Sequence, residues 1–77
     1  MIYQHIVSTP GVLGGKPCIK GTRISIELIL ETVASGASVA DIVREFPQLS
    51  MEAVQEAVRY AIYALRSERI IDVDMAA

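Results

Sequence analysis

A chain of 77 residues, 52% of them hydrophobic and with a net charge of −2, forms one domain at most and buries only a small core. The single Cys18 cannot form an internal disulfide, and one cysteine with one histidine cannot form a zinc cluster. No apolar run reaches the length of about 18 residues that a membrane span requires, and the first residues lack the pattern of a signal peptide. We therefore expect a single cytoplasmic domain, 1–77, without cofactor, metal, membrane or small-molecule substrate, whose surplus apolar surface is hidden in an oligomer or by a partner.

The first 24 residues are predicted to form a segment of short strands and turns. Apolar pieces at Ile6–Val7 and Val12–Leu13 alternate with turn signals that contain glycine or proline. Gly14–Gly15 suits the two-residue turn of a β-hairpin, because both positions tolerate a positive φ. Pro17 lacks a backbone N–H and cannot lie in a central strand, so any sheet here is small.

Two short helices are predicted to follow, each with a serine cap. The first begins at Ser25 and ends at Gly36, since glycine readily takes the left-handed conformation after a helix. The second begins at Ser38, where Asp41 completes a capping box, and Pro47 ends it. Apolar residues recur at helical spacing in both, so one face of each helix is predicted to be buried. These residues are Ile26, Ile29, Leu30, Val33, Val39, Ile42, Val43 and Phe46.

The third helix is predicted to run from Ser50 to about Arg66 or Glu68, and it carries a wide apolar arc. On a helical wheel the arc covers about 200°, roughly twice what a surface helix needs. One part is expected to pack on the first two helices. The rest, which includes Tyr60 and Ala64, is predicted to form a dimer or partner contact; the open alternative is that the N-terminal hairpin covers it. The residues of the arc are Ala53, Val54, Ala57, Val58, Tyr60, Ala61, Ile62, Ala64 and Leu65.

Residues 70–77 form a tail whose apolar side chains are predicted to contact a partner. Ile70, Ile71 and Val73 are β-branched although they follow the predicted end of the third helix. Such a segment adds a strand to a sheet edge or docks on a partner surface. The open alternative is a frayed terminus.

The second helix, the break at 47–50 and the third helix form a predicted helix-turn-helix unit, in which the latter helix enters the DNA major groove. Gln55 and Arg59 on its solvent face are predicted to bind nucleic acid, because these side chains recognise adenine and guanine edges. The open alternative is a solvated face on which Arg59 pairs with Glu56 and stacks on Tyr63. The whole predicted face has no net charge and consists of Glu52, Gln55, Glu56, Arg59, Tyr63 and Arg66.

A basic segment precedes the helices. Lys16, Lys20 and Arg23 give residues 1–24 a charge of +3, whereas the remainder of the chain carries −5. Because these cations have no local acidic partners, we predict that they contact DNA phosphates beside a groove; an acidic protein surface is the alternative. The segment is not a nucleotide-binding P-loop, since Pro17 stands where that motif requires serine or threonine.

No constellation of residues in the sequence predicts an enzyme. His5 has no nucleophile or carboxylate beside it in a recognisable motif. Cys18 is predicted to be a buried thiol and not a reactive one. A small hydrolase is the least supported alternative.

The segment Pro10–Ile24 resembles the signature of the domain-of-unknown-function family 433, which reads approximately PG-x-x-GGKP-x-I-x-GTRI. The likeness continues through a helix rich in isoleucine and leucine, Gly36, Ser38 and the Phe46–Pro47 stop, and it covers nearly the whole chain. One departure is Cys18, where an aliphatic residue is more usual.

The resemblance implies a mainly α, homeodomain-like fold of three helices with a short N-terminal β segment, commonly as a dimer. It also implies an antitoxin similar to VapB-type proteins and paired with a PIN-like ribonuclease toxin, and it brings no catalytic residues. The resulting hypothesis is a type II antitoxin: a homodimer that neutralises a PIN-like toxin and binds operator DNA for autoregulation. The alternative is a protein-interaction adaptor or small regulator that does not bind DNA.

Overall fold

The computed structural model describes residues 3–67 as three helices preceded by a two-stranded antiparallel sheet. The predicted mainly α fold with a short N-terminal β segment is thereby confirmed. A short turn of 3-10 helix, Leu13–Gly15, lies between the strands. The other elements are β1 (Ile6–Val7), β2 (Cys18–Ile19), α1 (Ile26–Ala34), α2 (Val39–Glu45) and α3 (Met51–Ser67).

The two strands pair across a long loop and not across Gly14–Gly15. Their antiparallel register places Ile6 opposite Ile19 and Val7 opposite Cys18. The prediction of a tight hairpin whose turn is Gly14–Gly15 is therefore wrong, although a small sheet does form in this segment.

The backbone of residues 13–15 explains the difference. All three residues have positive φ, with values of 50°, 65° and 83°. The N–H of Gly15 donates to the C=O of Val12 at 2.9 Å, so this stretch closes on itself and does not offer its polar groups to a strand. Pro17 has no N–H to donate to a ladder, and β2 begins only after it.

Caps fix the ends of α1 and α2 where the sequence predicted them. The hydroxyl of Ser25 accepts a hydrogen bond from the N–H of Leu28 at 2.9 Å. Gly36 follows α1 with a φ of +107°, which a residue with a side chain rarely adopts. Ser38 and Asp41 each accept a bond from the other's backbone N–H, and these two bonds complete the predicted capping box of α2.

The core lies where the three helices meet. Ile29 of α1, Ile42 of α2 and Val54 of α3 are completely buried, and each comes from a face that the helical spacing predicted to be internal. Because every helix supplies one of these side chains, none of the three can be removed without opening the core. The other buried residues of this cluster are Ile19, Ile24, Ile26, Leu49, Ala53 and Ala57.

The predicted buried face of α1 is too wide, and the end of the apolar arc of α3 is open to solvent. Leu30 and Val33 of α1 are 37% and 40% exposed, and Leu65 near the end of α3 is 56% exposed. Leu30 and Leu65 border an open groove between α1 and α3, and Val33 lies in the last turn of α1. In a single chain none of these three side chains is enclosed.

Residues 46–50 join α2 to α3, and the two helices pack on each other as a helix-turn-helix unit. The hydroxyl of Ser50 accepts from the N–H of Ala53 at 3.1 Å, so this serine caps α3 as predicted. Within 3–67 we find no helix with the length and apolarity needed to cross a membrane. The predicted partner contacts at Ile70, Ile71 and Val73 lie outside the described residues.

Candidate functional site

The Gly-Thr-Arg part of the basic segment forms a tight bend before α1. The hydroxyl of Thr22 donates to the C=O of Ile19 at 2.8 Å and accepts from the N–H of Ile24 at 3.0 Å. Gly21 has a φ of +80°, a conformation that strains any residue with a side chain. Gly21 and Thr22 therefore serve the backbone of this bend.

Lys16 has an acidic partner that the local sequence does not show. Its Nζ lies 2.9 Å from Oε1 of Glu27 in α1, and both side chains are exposed. The hydrogen bond to Glu27, together with its charge, raises the pKa of Lys16 above the ordinary lysine value. The expectation of three unpaired cations is thus wrong for Lys16, because the bend brings the first turn of α1 back beside it.

Lys20 and Arg23 are exposed at the other end of this bend. The N–H of Lys20 donates to the C=O of His5 at 2.7 Å, which holds the bend against the residue before β1. Arg23 borders a cavity of about 360 Å³. Cys18 is buried in the wall of this cavity, as predicted, and its thiol donates to the C=O of Lys16 at 3.2 Å. The remaining lining residues are Val7, Thr9, Val12, Gly21 and Thr22.

The solvent face of α3 contains one residue fewer than the sequence predicted. Glu56 is only 8% exposed, and its two carboxylate oxygens bond to His5. The predicted alternative in which Arg59 pairs with Glu56 is therefore wrong. Gln55 and Arg59 are exposed as predicted, and the charged residues left on this face, Arg59 and Arg66 against Glu52, give it a charge of +1.

His5 ties the N-terminal segment to the middle of α3. Its backbone N–H donates to Oε1 of Glu56 at 2.9 Å, and its ring Nδ1 lies 2.9 Å from Oε2. The backbone bond, followed by the side-chain bond, holds the pKa of Glu56 below the ordinary glutamate value. A carboxylate that was predicted to face solvent therefore has a structural role.

A second cavity lies beside the C-terminal half of α3. It has a volume of about 290 Å³ and is lined by Tyr3, Arg59, Ile62, Tyr63 and Arg66. The ring of Tyr3 also meets the ring of Tyr60 edge to face, with centroids 5.3 Å apart. The hydroxyl of Tyr3 is buried and has no hydrogen-bond partner within the part of the chain that the structure describes.

An apolar groove separates α1 from the C-terminal half of α3. It measures about 310 Å³, and it brings together the predicted contact residues Tyr60 and Ala64. The N-terminal segment covers the side of the arc near Glu56 and Tyr60, so the alternative in which it covers the whole arc is only partly right. The other lining residues are Pro17, Ile26, Glu27, Leu30, Ala61 and Leu65.

Sequence reasoning missed Tyr3, His5 and Arg66 as site residues. The first two precede the motifs and carry no local signal, because their partners Tyr60 and Glu56 lie more than fifty residues away in the chain. Arg66 stood on the predicted solvent face but was given no role. Across residues 3–67, the histidine, cysteine and acidic side chains form no group of three that could hold a metal ion.

Comparisons with known proteins agree with this architecture. The model of a family described as protein of unknown function, DUF433, matches residues 6–61. The uncharacterized protein y4eO of Sinorhizobium fredii is 36% identical over 58 residues, a match that covers 75% of this chain and 26% of that protein. The crystal structure of a DUF433 member protein from Anabaena variabilis is similar with a TM-score of 0.76 and 28% identity, over 82% of this chain and 62% of that one. The chain thus spans about a quarter of the first relative and less than two thirds of the second.

Proposed function

Because the chain belongs to the DUF433 family, whose function is unknown, we propose a function from its surfaces and from its resemblance to antitoxins. It is a cytoplasmic type II antitoxin that acts by binding and not by catalysis. As a homodimer it neutralises a PIN-like ribonuclease toxin and binds operator DNA. The observation that carries this proposal is the apolar groove between α1 and α3, which is open in a single chain.

The groove has the features of a contact between two copies. Leu30 and Leu65 protrude beside it, whereas Ala61 and Ala64 leave hollows on the same surface. An interface about a two-fold axis requires a surface that is complementary to itself, with projections and hollows side by side. Burying this surface removes apolar area that is otherwise exposed to water.

The DNA-binding part of the proposal uses the exposed cations and one amide. Lys20 and Arg23 contact phosphates, and Gln55 and Arg59 of α3 contact base edges. Lys16 contributes less to the binding of DNA phosphates, because it already pairs with Glu27. A dimer presents each of these groups twice, which supports binding that one chain alone does not sustain.

The toxin-binding part is assigned to the tail. Ile70, Ile71 and Val73 supply apolar side chains beyond α3, and α3 itself is used by the groove and the DNA face. Apolar side chains of this kind bind a partner by adding a strand to its sheet or by filling a surface pocket. On this assignment the toxin contact and the DNA contact use different residues of the chain.

Two observations favour the alternative, a protein-interaction adaptor that does not bind DNA. The ion pair between Lys16 and Glu27 removes one cation from the basic segment, and Arg23 and Arg59 line different cavities. On this alternative the same groove serves protein contacts only.

Coexpression with a PIN-like ribonuclease encoded beside its gene tests the proposal. The intact chain should restore growth of cells that express the nuclease, and a chain that ends at Ser67 should not, although it still dimerises. A matched control is the double variant Asp72→Asn and Asp74→Asn, which keeps Ile70, Ile71 and Val73 and should restore growth. If the intact chain gives no protection and forms no complex with the nuclease, the antitoxin function is wrong and the adaptor is favoured.

A further inference from the structure

The cavity beside the C-terminal half of α3 is separate from the apolar groove, and it shares only Arg59 with the DNA-binding part of the proposed function. Its walls combine two guanidinium groups, from Arg59 and Arg66, with the rings of Tyr3 and Tyr63 and one aliphatic side chain, Ile62. Its volume of about 290 Å³ lies just below the range of about 300–1,000 Å³ that is usual for small-molecule sites. The site therefore fits a small ligand that has both an anionic group and a flat ring.

The positive charge of this cavity is not neutralised by its nearest acid on α3. Arg59 and Arg66 are two turns apart on one face of the helix, separated by about 10 Å of helix rise, so their long side chains can reach one anion between them. Glu56, three residues before Arg59, is bound by His5. Arginine is well suited to phosphate, because its planar fork donates two parallel hydrogen bonds.

Tyr3 is held in the cavity wall by its contact with another ring. The edge-to-face contact with Tyr60 fixes its ring in the cavity wall. Its hydroxyl is buried and, within residues 3–67, has no hydrogen-bond acceptor. The ring of Tyr3 therefore gives the cavity a fixed aromatic surface beside the two guanidinium groups.

We propose that this cavity binds a nucleoside monophosphate. The phosphate lies between Arg59 and Arg66, and the base packs on the tyrosine rings, as bases do in proteins that bind single strands. The same chemistry is present in a free mononucleotide and in the phosphorylated 5′ end of a strand.

Isothermal titration calorimetry of the full chain with the four common nucleoside 5′-monophosphates tests the proposal. At least one of them should bind saturably with a Kd below about 1 mM. The nucleoside without its phosphate and inorganic phosphate should each bind at least about tenfold more weakly, because each lacks half of the contacts. Absence of saturable binding by all four nucleotides would overturn the proposal.

Variants locate the binding. Arg66→Ala should weaken binding about tenfold by removing one of the two guanidinium groups, whereas Tyr3→Phe, which keeps the ring, should leave the Kd nearly unchanged. The matched control is Arg44→Ala in α2, which removes an exposed arginine that pairs with Asp41 outside the cavity, and it should leave the Kd unchanged. Circular dichroism verifies that each variant is folded. An equal effect of Arg44→Ala and Arg66→Ala would mean non-specific charge attraction and would overturn the proposal.

A competition experiment separates the two sources of the ligand. A short single strand with a 5′-phosphate should displace the mononucleotide if the site takes strand ends, and it should fail to do so if the site takes only free nucleotides; either result supports the site. The same strand without its 5′-phosphate is the control. If both strands displace the nucleotide equally well, the arginines bind the diester backbone and the proposed monophosphate site is wrong.

Discussion

Glu56 connects the N-terminal segment to α3 through two bonds to one residue, His5. The backbone N–H and the ring Nδ1 of His5 reach different oxygens of the same carboxylate, each at 2.9 Å. Both partners are more than half shielded from solvent, so water competes only partly for these groups. The charge of Glu56 thus favours the arrangement in which β1 lies against α3.

We expect Glu56→Gln to lower the free energy of unfolding at neutral pH. We also expect the free energy of unfolding of this variant to depend less on pH in the acidic range. The bonds from His5 hold the pKa of Glu56 below its ordinary value in the folded protein. A carboxyl whose pKa is lowered on folding stabilises the protein above the pKa of the unfolded chain, and this contribution is lost as the pH falls below about 4. The difference between the native protein and the variant should therefore shrink across that range in denaturant titrations.

Glu52→Gln is the matched control for this prediction, because Glu52 lies one turn earlier on α3 and is exposed. It should leave the acid dependence of unfolding nearly unchanged. A variant at Glu56 that unfolds with the same pH profile as the native protein would show that the bond to His5 does not contribute to stability.

Glu56 and Lys16 show why the face of a helix could be predicted from the sequence, whereas the contacts of a side chain with a distant segment could not. A helical wheel places Glu56 near the polar side of α3, and nothing local indicates that His5, fifty-one residues earlier, covers it. Lys16 likewise looks unpaired until the bend at Gly21 and Thr22 places α1 beside it. Local spacing determines which face of a helix a residue lies on, whereas its contact with a distant segment depends on the tertiary fold.

At the scale of the elements, the helix limits were predictable because each is set by local chemistry. A serine precedes α1, α2 and α3, and in each case its hydroxyl accepts a hydrogen bond from the first turn. The strand pairing was not predictable in this way, since β2 pairs with β1 across a loop and its register depends on the whole bend. Gly14–Gly15 did mark a turn, but one that closes on itself.

We expect Ser38→Ala to lower the free energy of unfolding by about 1 kcal/mol. Helix α2 has seven residues and depends on its capping box, in which Ser38 and Asp41 bond to each other's backbone N–H. A helix this short has little stability of its own, so the loss of its cap should affect the whole domain. Urea denaturation followed by circular dichroism measures the change.

The control for the cap is Ser8→Ala, at an exposed serine outside the helices. This change should alter the free energy of unfolding by less than about 0.5 kcal/mol. Equal effects of the two substitutions would mean that the capping box of α2 contributes nothing beyond a general serine-to-alanine effect.

At the scale of the whole molecule, the open groove between α1 and α3 predicts a dimer. Ala64→Glu places a charged side chain in a hollow of the groove, and it should convert the dimer to a monomer in light-scattering chromatography. The native protein should also melt at a higher temperature as its concentration rises, because association stabilises the folded state. The variant should lose this dependence on concentration.

Ala40→Glu is the control for the dimer, because Ala40 is an exposed alanine of α2 outside the groove. This variant should have the mass of the native protein. A native protein that is monomeric at about 100 μM would contradict the proposed dimer, since a stable interface of standard size has a far lower Kd.

The charges of a dimer give the last prediction, the salt dependence of binding to DNA from its own promoter. Each chain offers Lys20 and Arg23 as exposed cations that contact phosphates. A dimer that neutralises phosphates with them releases counterions, so its affinity falls steeply as salt rises. Arg23→Ala removes one such contact from each protomer and should lower the slope of log K against log salt by about two. Lys16→Ala should lower the slope less, because Lys16 already pairs with Glu27 in the free protein. Fluorescence anisotropy across a salt series measures these slopes, and a slope near zero for the native protein would mean that its positive charge serves protein contacts, as in an adaptor.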